Sequence, residues 1–247
     1  MKKVLFAIIS VLMAIPSFSQ NQFVKVKDGH FLKDGKPYYY VGTNFWYGAI
    51  LGSTGQGGNR QRLCAELDKM KSMGIDNLRI LVGADGERGI KTKVEPTLQI
   101  KPGVYNDTIL AGLDYLLSEM NKRNMVAVLY LNNSWEWSGG YGFYLQYAGA
   151  GIAPRPNEDG YPAYMNFVRK YATNEKAHQL FYDYVRFILG RTNRYTHKRY
   201  VDDPAIMSWQ IGNEPRAFGN DELKPFAKWL AEASSMIRSI DNNHLIS

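Results

Sequence analysis

Residues Ile206–Pro215 read Ile-Met-Ser-Trp-Gln-Ile-Gly-Asn-Glu-Pro, an apolar run that ends in a carboxamide, a carboxylate and a proline. The run from Ile206 to Gly212 has the length and composition of a buried strand. Pro215 lacks the backbone N–H that a neighbouring strand would bind, so the strand must end before it. The sequence therefore predicts a buried strand that presents Asn213 and Glu214 at its C-terminal end.

Three similar strands precede this one, and a helical pattern with one apolar face follows each of the four. The earlier strands are predicted at 38–44, 77–82 and 125–131, and a fifth begins at Leu245. Short hairpins are predicted before the first strand, around Asp28-Gly29 and Asp34-Gly35, because Asp-Gly pairs favour tight turns. Strict alternation of strands and helices predicts a parallel sheet with right-handed crossovers.

Two architectures satisfy this order: an open, doubly wound sheet and a closed barrel. The glycine-rich segment Gly52–Gly58 has neither G-x-G-x-x-G order nor a following Gly-Lys-Ser/Thr, so it lacks the phosphate-binding motifs of many open sheets. The long segments, above all the predicted loop at 132–171, follow strands, and barrels build their active sites at that end. The sequence therefore predicts an α/β fold, the N-terminal half (strands 1–4 and the start of strand 5) of a (β/α)₈ TIM barrel.

The N-terminus has the pattern of a cleaved secretory signal over residues 1–19. Lys2 and Lys3 precede an apolar stretch from Val4 to Ile15, and Ser17 and Ser19 stand at the small positions of a cleavage site. The stretch is too short to span a bilayer. We therefore expect a secreted protein, periplasmic or extracellular, with no membrane attachment after cleavage, whose residues 20–247 form an incomplete catalytic barrel.

Charge, cysteine and histidine content exclude several functional classes. The formal net charge is +7, yet the densest basic segment, Arg191–Arg199, is interrupted by Asn, Tyr, Thr and His, so nucleic-acid binding is not expected. Cys64 is the single cysteine and is predicted to be a buried, inert thiol on a helix. The four histidines show no metal-binding spacing, and we expect neither a metal nor another cofactor.

Glu214 is the strongest candidate for catalysis. A carboxyl group at the mouth of a barrel can be partly removed from water, which raises its pKa and keeps it protonated as a general acid. The Asn-Glu-Pro sequence at the end of a fourth strand resembles the acid/base motif of retaining (β/α)₈ glycosidases. Other segments resemble the endo-β-1,4-mannanases of glycoside hydrolase family 5 more closely, in the same order along the chain: 31–38, Gly42-Thr43-Asn44, Leu113-Asp114-Tyr115, 131–135, 202–209, 213–216 and 240–244.

The resemblance implies a role for each matching residue. Glu214 would protonate the leaving oxygen and then activate water, and Asn213 would bind the 2-hydroxyl of the sugar at the cleavage site. Arg79 would keep the nucleophilic carboxylate ionised. A further set would lie near the sugar subsites, namely Trp46, Asn133, Trp135, Trp137 and Arg216.

The family's nucleophile is a glutamate at the end of the seventh strand, which lies beyond the strands found in this sequence. None of Asp85, Glu87, Glu136 and Glu158 occupies that position. The expected activity, double-displacement endo-hydrolysis of β-1,4-mannosidic bonds in β-mannan-type polysaccharides, therefore belongs to the complete enzyme, and residues 20–247 alone are expected to be inactive. Two alternatives remain at this stage: a β-1,4-glucanase of the same family and a non-catalytic glycan-binding protein.

Overall fold

The computed structural model describes residues 22–87, 89–90 and 92–247. The predicted signal segment, residues 1–19, lies outside the described residues. Across the described ranges, no helix combines the length and the apolar character needed to cross a membrane.

A parallel sheet forms the centre of the described chain. Its spatial order is β10 (Leu245–Ile246), β9 (Ile206–Gln210), β8 (Val126–Tyr130), β5 (Ile75–Leu81) and β4 (Val41–Asn44). Each predicted strand is confirmed, with bounds shifted by a few residues. Because all neighbours are parallel, their C-terminal ends meet at one edge, and this edge carries the candidate site.

Helices and short antiparallel ribbons surround the sheet. The remaining strands are β1 (Lys25–Lys27), β2 (His30–Lys33), β3 (Lys36–Pro37), β6 (Gln99–Lys101) and β7 (Val104–Tyr105). The helices are α1 (Gly48–Gly52), α2 (Arg60–Ser72), α3 (Asp107–Lys122), α4 (Gly140–Tyr147), α5 (Pro156–Asp159), α6 (Tyr161–Val168), α7 (Glu175–Leu189) and α8 (Leu223–Ile240). Single 3₁₀ turns lie at Glu136–Ser138, Arg169–Thr173 and Tyr200–Asp202. The predicted α/β alternation is therefore confirmed.

Local sequence explains where the first long helices begin and end. Asn59 and Asn106 accept hydrogen bonds from the backbone N–H groups of Arg62 and Thr108, at 2.9 and 3.1 Å, and so cap α2 and α3. Gly74 (φ 82°) follows α2 in the left-handed conformation that ends helices, and Asn124 (φ 51°) follows α3 in the same way.

Two sequence expectations were wrong. The segment 132–171, expected as a loop, contains α4, α5 and α6, because its tyrosines are core residues: Tyr141, Tyr144 and Tyr164 are fully buried in the main hydrophobic core. Cys64 is half-buried rather than buried, and its Sγ lies 3.6 Å from the Tyr115 hydroxyl on α3.

A buried polar cluster connects the C-terminal end of α8 to β9. The Asp241 carboxylate accepts hydrogen bonds from Trp209 Nε1 (2.6 Å) and from the backbone N–H groups of Asn243 and His244, and its Oδ2 lies 2.5 Å from His244 Nδ1. Burial alone would raise the pKa of Asp241, but the His244 ring and the Trp209 indole outweigh it and hold that pKa at about 2.

This cluster predicts a specific loss of stability in acid. A carboxylate whose folded pKa is about 2, against 3.8 when unperturbed, stabilises the fold above pH 3.8, and the contribution disappears as the pH falls through 2. Its size is about 2 kcal/mol. Asp241→Asn should therefore lower the urea-unfolding free energy of the full-length protein near neutral pH, and the deficit should shrink below pH 3.8. The control is Asp183→Asn, at an exposed aspartate on α7, which should not show this pH-dependent deficit. A deficit that is independent of pH would contradict the assignment.

Candidate functional site

Four strand ends bring the predicted catalytic residues together. Arg79 lies on β5, and Asn213 and Glu214 follow β9, where a bridge pairs Asn213 with Asn133 after β8. Asn44 ends β4 directly opposite Arg79 in the sheet register. The sequence thus places polar groups at the ends of adjacent parallel strands, and the sheet register makes them neighbours.

The guanidinium of Arg79 is the centre of this cluster. It donates hydrogen bonds to Gln210 Oε1 (2.7 Å), Asn213 Oδ1 (2.9 Å) and Asn44 Oδ1 (3.2 Å), and it lies 4.3 Å from the centre of the Tyr130 ring. Burial lowers the pKa of Arg79, while the neighbouring Tyr130 and Glu214 raise it. Arginine nevertheless stays protonated at any physiological pH. Arg79 therefore places a fixed positive charge beside Asn213.

Asn213 is held on both sides of its amide. Its Oδ1 accepts from Arg79, and its Nδ2 donates to Asn133 Oδ1 at 3.0 Å. Asn133 is fully buried, and its own Nδ2 donates to Ser138 Oγ at 2.9 Å. Asn133, predicted near a sugar subsite, therefore contacts Asn213 in this structure, and its side chain does not reach the open cleft.

Glu214 lies at the C-terminal edge of the sheet, and two donors contact its carboxylate. Trp135 Nε1 donates to Oε2 at 2.9 Å, and Arg216 Nη2 lies 3.3 Å from the same atom. The side chain is 54% exposed, so the carboxylate is partly removed from water.

The backbone at Glu214 adopts a left-handed conformation (φ 46°), which is uncommon for residues other than glycine. Ser134 stabilises it, because its Oγ donates to the Glu214 carbonyl oxygen and accepts from the Arg216 N–H at 3.1 Å. Tyr164 in turn donates to the Ser134 carbonyl at 2.8 Å. Ser134 thereby holds the backbone on both sides of Pro215 in place.

A cleft of about 970 Å³ opens in front of this cluster. Its walls include the rings of Trp46 (41% exposed) and Trp137, together with Tyr130, Arg79 and Glu214. Trp135 does not line the cleft itself; it packs beside it, with Arg216 5.3 Å from the centre of its ring. The geometry therefore brings together Glu214, Asn213, Arg79, Trp46 and Trp137, with Trp135 and Arg216 behind the carboxylate.

The four other acidic residues named above as possible nucleophiles do not line this cleft. Asp85 is buried beneath Gln99, which donates to it at 3.1 Å, and burial raises the pKa of Asp85 to about 7. Glu87, Glu136 and Glu158 line a separate side cavity. Within the described residues, the carboxylates that line the cleft are Glu214 and Glu95, and Glu95 accepts a hydrogen bond from the Gly89 backbone.

Sequence reasoning missed several members of the cluster. The sequence alone predicted no role for Asn44, Tyr130, Ser134 or Gln210. Each of Asn44, Tyr130 and Gln210 is the last residue of a strand. A polar or aromatic residue at the C-terminal end of a parallel strand would therefore have predicted these three residues as members of the site.

Comparison with curated proteins gives a consistent set of relatives. The chain is 27% identical over 236 residues to mannan endo-1,4-β-mannosidase 1 of Solanum lycopersicum, covering 96% of this chain and 55% of the relative. It is 29% identical over 225 residues to mannan endo-1,4-β-mannosidase 1 of Oryza sativa subsp. japonica, covering 91% and 48%. The chain therefore spans about half the length of the curated relatives it matches.

Solved structures agree with this result. The family 5 mannosidase of Rhizomucor miehei superposes with a TM-score of 0.84 at 35% identity, covering 93% of this chain and 56% of that chain. The endo-1,4-β-mannanase of the same organism gives a TM-score of 0.70 at 26% identity, covering 91% and 60%. The family model described as GH family 5 β-mannosidase-like matches residues 21–247. The chain belongs to the β-mannosidase-like group of glycoside hydrolase family 5.

Proposed function

We propose that the protein to which this chain belongs is a mannan endo-1,4-β-mannosidase, cleaving the backbone of β-mannan-type polysaccharides with retention of configuration. The observation that carries the proposal is Glu214, held by Trp135 and Arg216 next to an Asn213 whose amide is fixed by Arg79. The relatives named mannan endo-1,4-β-mannosidase support the choice of substrate. We also propose that residues 1–19 direct export and are removed.

The proposed reaction has two steps. Protonated Glu214 gives its proton to the leaving glycosidic oxygen while a second carboxylate attacks the anomeric carbon. Glu214, now ionised, then removes a proton from the water that releases the sugar. The 54% exposure of its side chain gives water direct access. Trp135 and Arg216 hold the carboxylate in place for both steps.

Asn213 and Arg79 act on the sugar and on the second carboxylate. Asn213 would bind the 2-hydroxyl, and a contact at this position strengthens in the transition state. Arg79 would keep the attacking carboxylate ionised by its positive charge. By the resemblance to family 5, the second carboxylate would be the glutamate that ends the seventh strand of the barrel. Trp46 and Trp137 would support sugar rings by their flat apolar faces.

One observation favours a second candidate, a mannosidase that removes units from chain ends. The structural similarity is greater to the Rhizomucor miehei mannosidase (TM-score 0.84) than to the mannanase (0.70). The two activities differ in what they do to polymer length, because internal cleavage shortens chains at once and end cleavage does not.

The full-length protein should hydrolyse β-mannan far faster than carboxymethylcellulose, and the viscosity of soluble mannan should fall before much reducing sugar appears. Reducing-sugar assays on both polymers, with viscometry on mannan, measure this. Faster hydrolysis of carboxymethylcellulose would establish the β-1,4-glucanase alternative. Slow viscosity loss with release of mannose would establish the end-acting enzyme, and binding without hydrolysis would establish a glycan-binding protein.

A further inference from the structure

Ser134, four residues after β8, is bound to the segment that carries Glu214 through its backbone N–H and its hydroxyl. The N–H donates to the Asn213 carbonyl oxygen at 3.2 Å. The hydroxyl donates to the Glu214 carbonyl oxygen and accepts from the Arg216 N–H at 3.1 Å. Ser134 is fully buried, so solvent does not compete for these bonds. A displacement of Ser134 would therefore move or break the contacts that hold the backbone around Glu214.

The carbonyl oxygen of Ser134 is in turn held by Tyr164 on α6. The Tyr164 hydroxyl donates to it at 2.8 Å, and the Tyr164 side chain is fully buried. Burial raises the pKa of the Tyr164 phenol well above its usual range, so the hydroxyl keeps its proton at any pH at which the enzyme would work. Tyr164 is therefore a permanent donor to Ser134, and it cannot itself touch a substrate.

The ring of Tyr164 also lies beside the second support of Glu214, the Trp135 indole. The two rings are nearly parallel, with centres 6.5 Å apart and an angle of 22° between their planes. Tyr161 and Phe218 meet the same indole edge-on, at 5.9 and 5.4 Å. These rings limit the rotation of the indole, whose Nε1 donates to Glu214 Oε2 at 2.9 Å.

We propose that Tyr164 is a positioning residue for the acid/base carboxylate, acting on Glu214 through the Ser134 backbone and the Trp135 ring. This rests on the proposed function and deepens it, because it gives helix α6 a part in catalysis. The Glu214 side chain is 54% exposed, so its position depends on hydrogen bonds from neighbouring residues more than on packing. Proton transfer requires hydrogen-bond distance, and a misplacement of about 1 Å can cost on the order of 10²-fold in rate.

The test compares full-length wild type with Tyr164→Phe, which removes the hydroxyl and keeps the ring. We expect kcat on β-mannan to fall about tenfold or more, because a displaced Glu214 protonates the leaving oxygen poorly. Stopped-flow release of the aryl group from a mannoside whose leaving group needs no protonation should fall much less. A smaller folded fraction would lower both rates by the same factor, so the ratio of the two losses separates positioning from destabilisation.

A second variant and a matched control accompany Tyr164→Phe. Ser134→Ala removes the hydroxyl contacts to the Glu214 segment directly and should show the same selective loss on mannan. The control is Tyr184→Phe, at another fully buried tyrosine, on α7, whose hydroxyl has no hydrogen-bond partner among the described residues. It should keep both rates. Thermal melting measures the stability of all three variants.

An unchanged rate on mannan in Tyr164→Phe would overturn the proposal, and so would an equal fall on both substrates. If the wild type hydrolyses neither substrate, the proposed function itself fails, and crystal structures of wild type and Tyr164→Phe decide the positioning separately. The proposal then requires a displaced Glu214, seen as a change in its φ of 46° or in its 2.9 Å distance to Trp135 Nε1. An unmoved Glu214 would refute it.

Discussion

Glu214→Gln should lower the turnover of β-mannan by the full-length enzyme by about 10²–10⁴-fold, the usual contribution of general acid–base catalysis. The glutamine keeps the shape of the side chain, and its carbonyl oxygen can still accept from Trp135 Nε1, where the distance is now 2.9 Å. It cannot donate a proton to the leaving oxygen. For aryl mannosides whose leaving group needs no protonation, the rate of the first step should therefore fall much less than it does for mannan.

The matched control is Glu232→Gln, an exposed glutamate on α8 whose only ion pair in the described residues is with Lys228. It should retain the activity of wild type. Stopped-flow release of the aryl group, together with steady-state hydrolysis of mannan, measures both steps. Near-normal turnover of mannan by Glu214→Gln would refute the assignment of Glu214 as the acid/base.

Arg79→Lys should also be severe, with kcat/KM on mannan reduced about 10²–10³-fold, the usual loss when one fixed electrostatic donor is removed. The guanidinium donates to Gln210, Asn44 and Asn213 at once and lies 4.3 Å from the centre of the Tyr130 ring. An ammonium group is a single point charge and cannot keep this planar arrangement. Asn213 would lose its fixed orientation, and the second carboxylate would lose the charge that keeps it ionised.

The response to leaving groups distinguishes the two variants. Because the proposed role of Arg79 concerns the nucleophile and not the leaving oxygen, aryl mannosides with good leaving groups should not rescue Arg79→Lys. Arg186→Lys, at an exposed arginine on α7, is the control. Rescue by a good leaving group would contradict the proposed role, as would a loss of activity explained by a lowered melting temperature alone.

Local sequence patterns are sufficient to predict the order of the elements and the ends of several of them. Apolar runs and apolar helix faces depend on short stretches of chain, so β8, β9 and α3 were predictable, and so were the turns at Gly74 and Asn124. The position of Glu214 was predictable too, because Pro215 ends the strand and leaves the carboxylate at the rim. The chemical roles of Glu214, Asn213 and Arg79 came from the resemblance to family 5 and stay proposals.

Which side chains contact one another, and which are exposed, depends on the packing of segments that are distant in sequence. Gln210 and Asn44 are distant in sequence from Arg79, and the sheet register alone brings them within hydrogen-bond distance. Burial of Asn133 depends on the segment that ends at Ser138 folding over it. The helices in 132–171 form because aromatic side chains pack on distant helices, a driving force that local periodicity does not reveal.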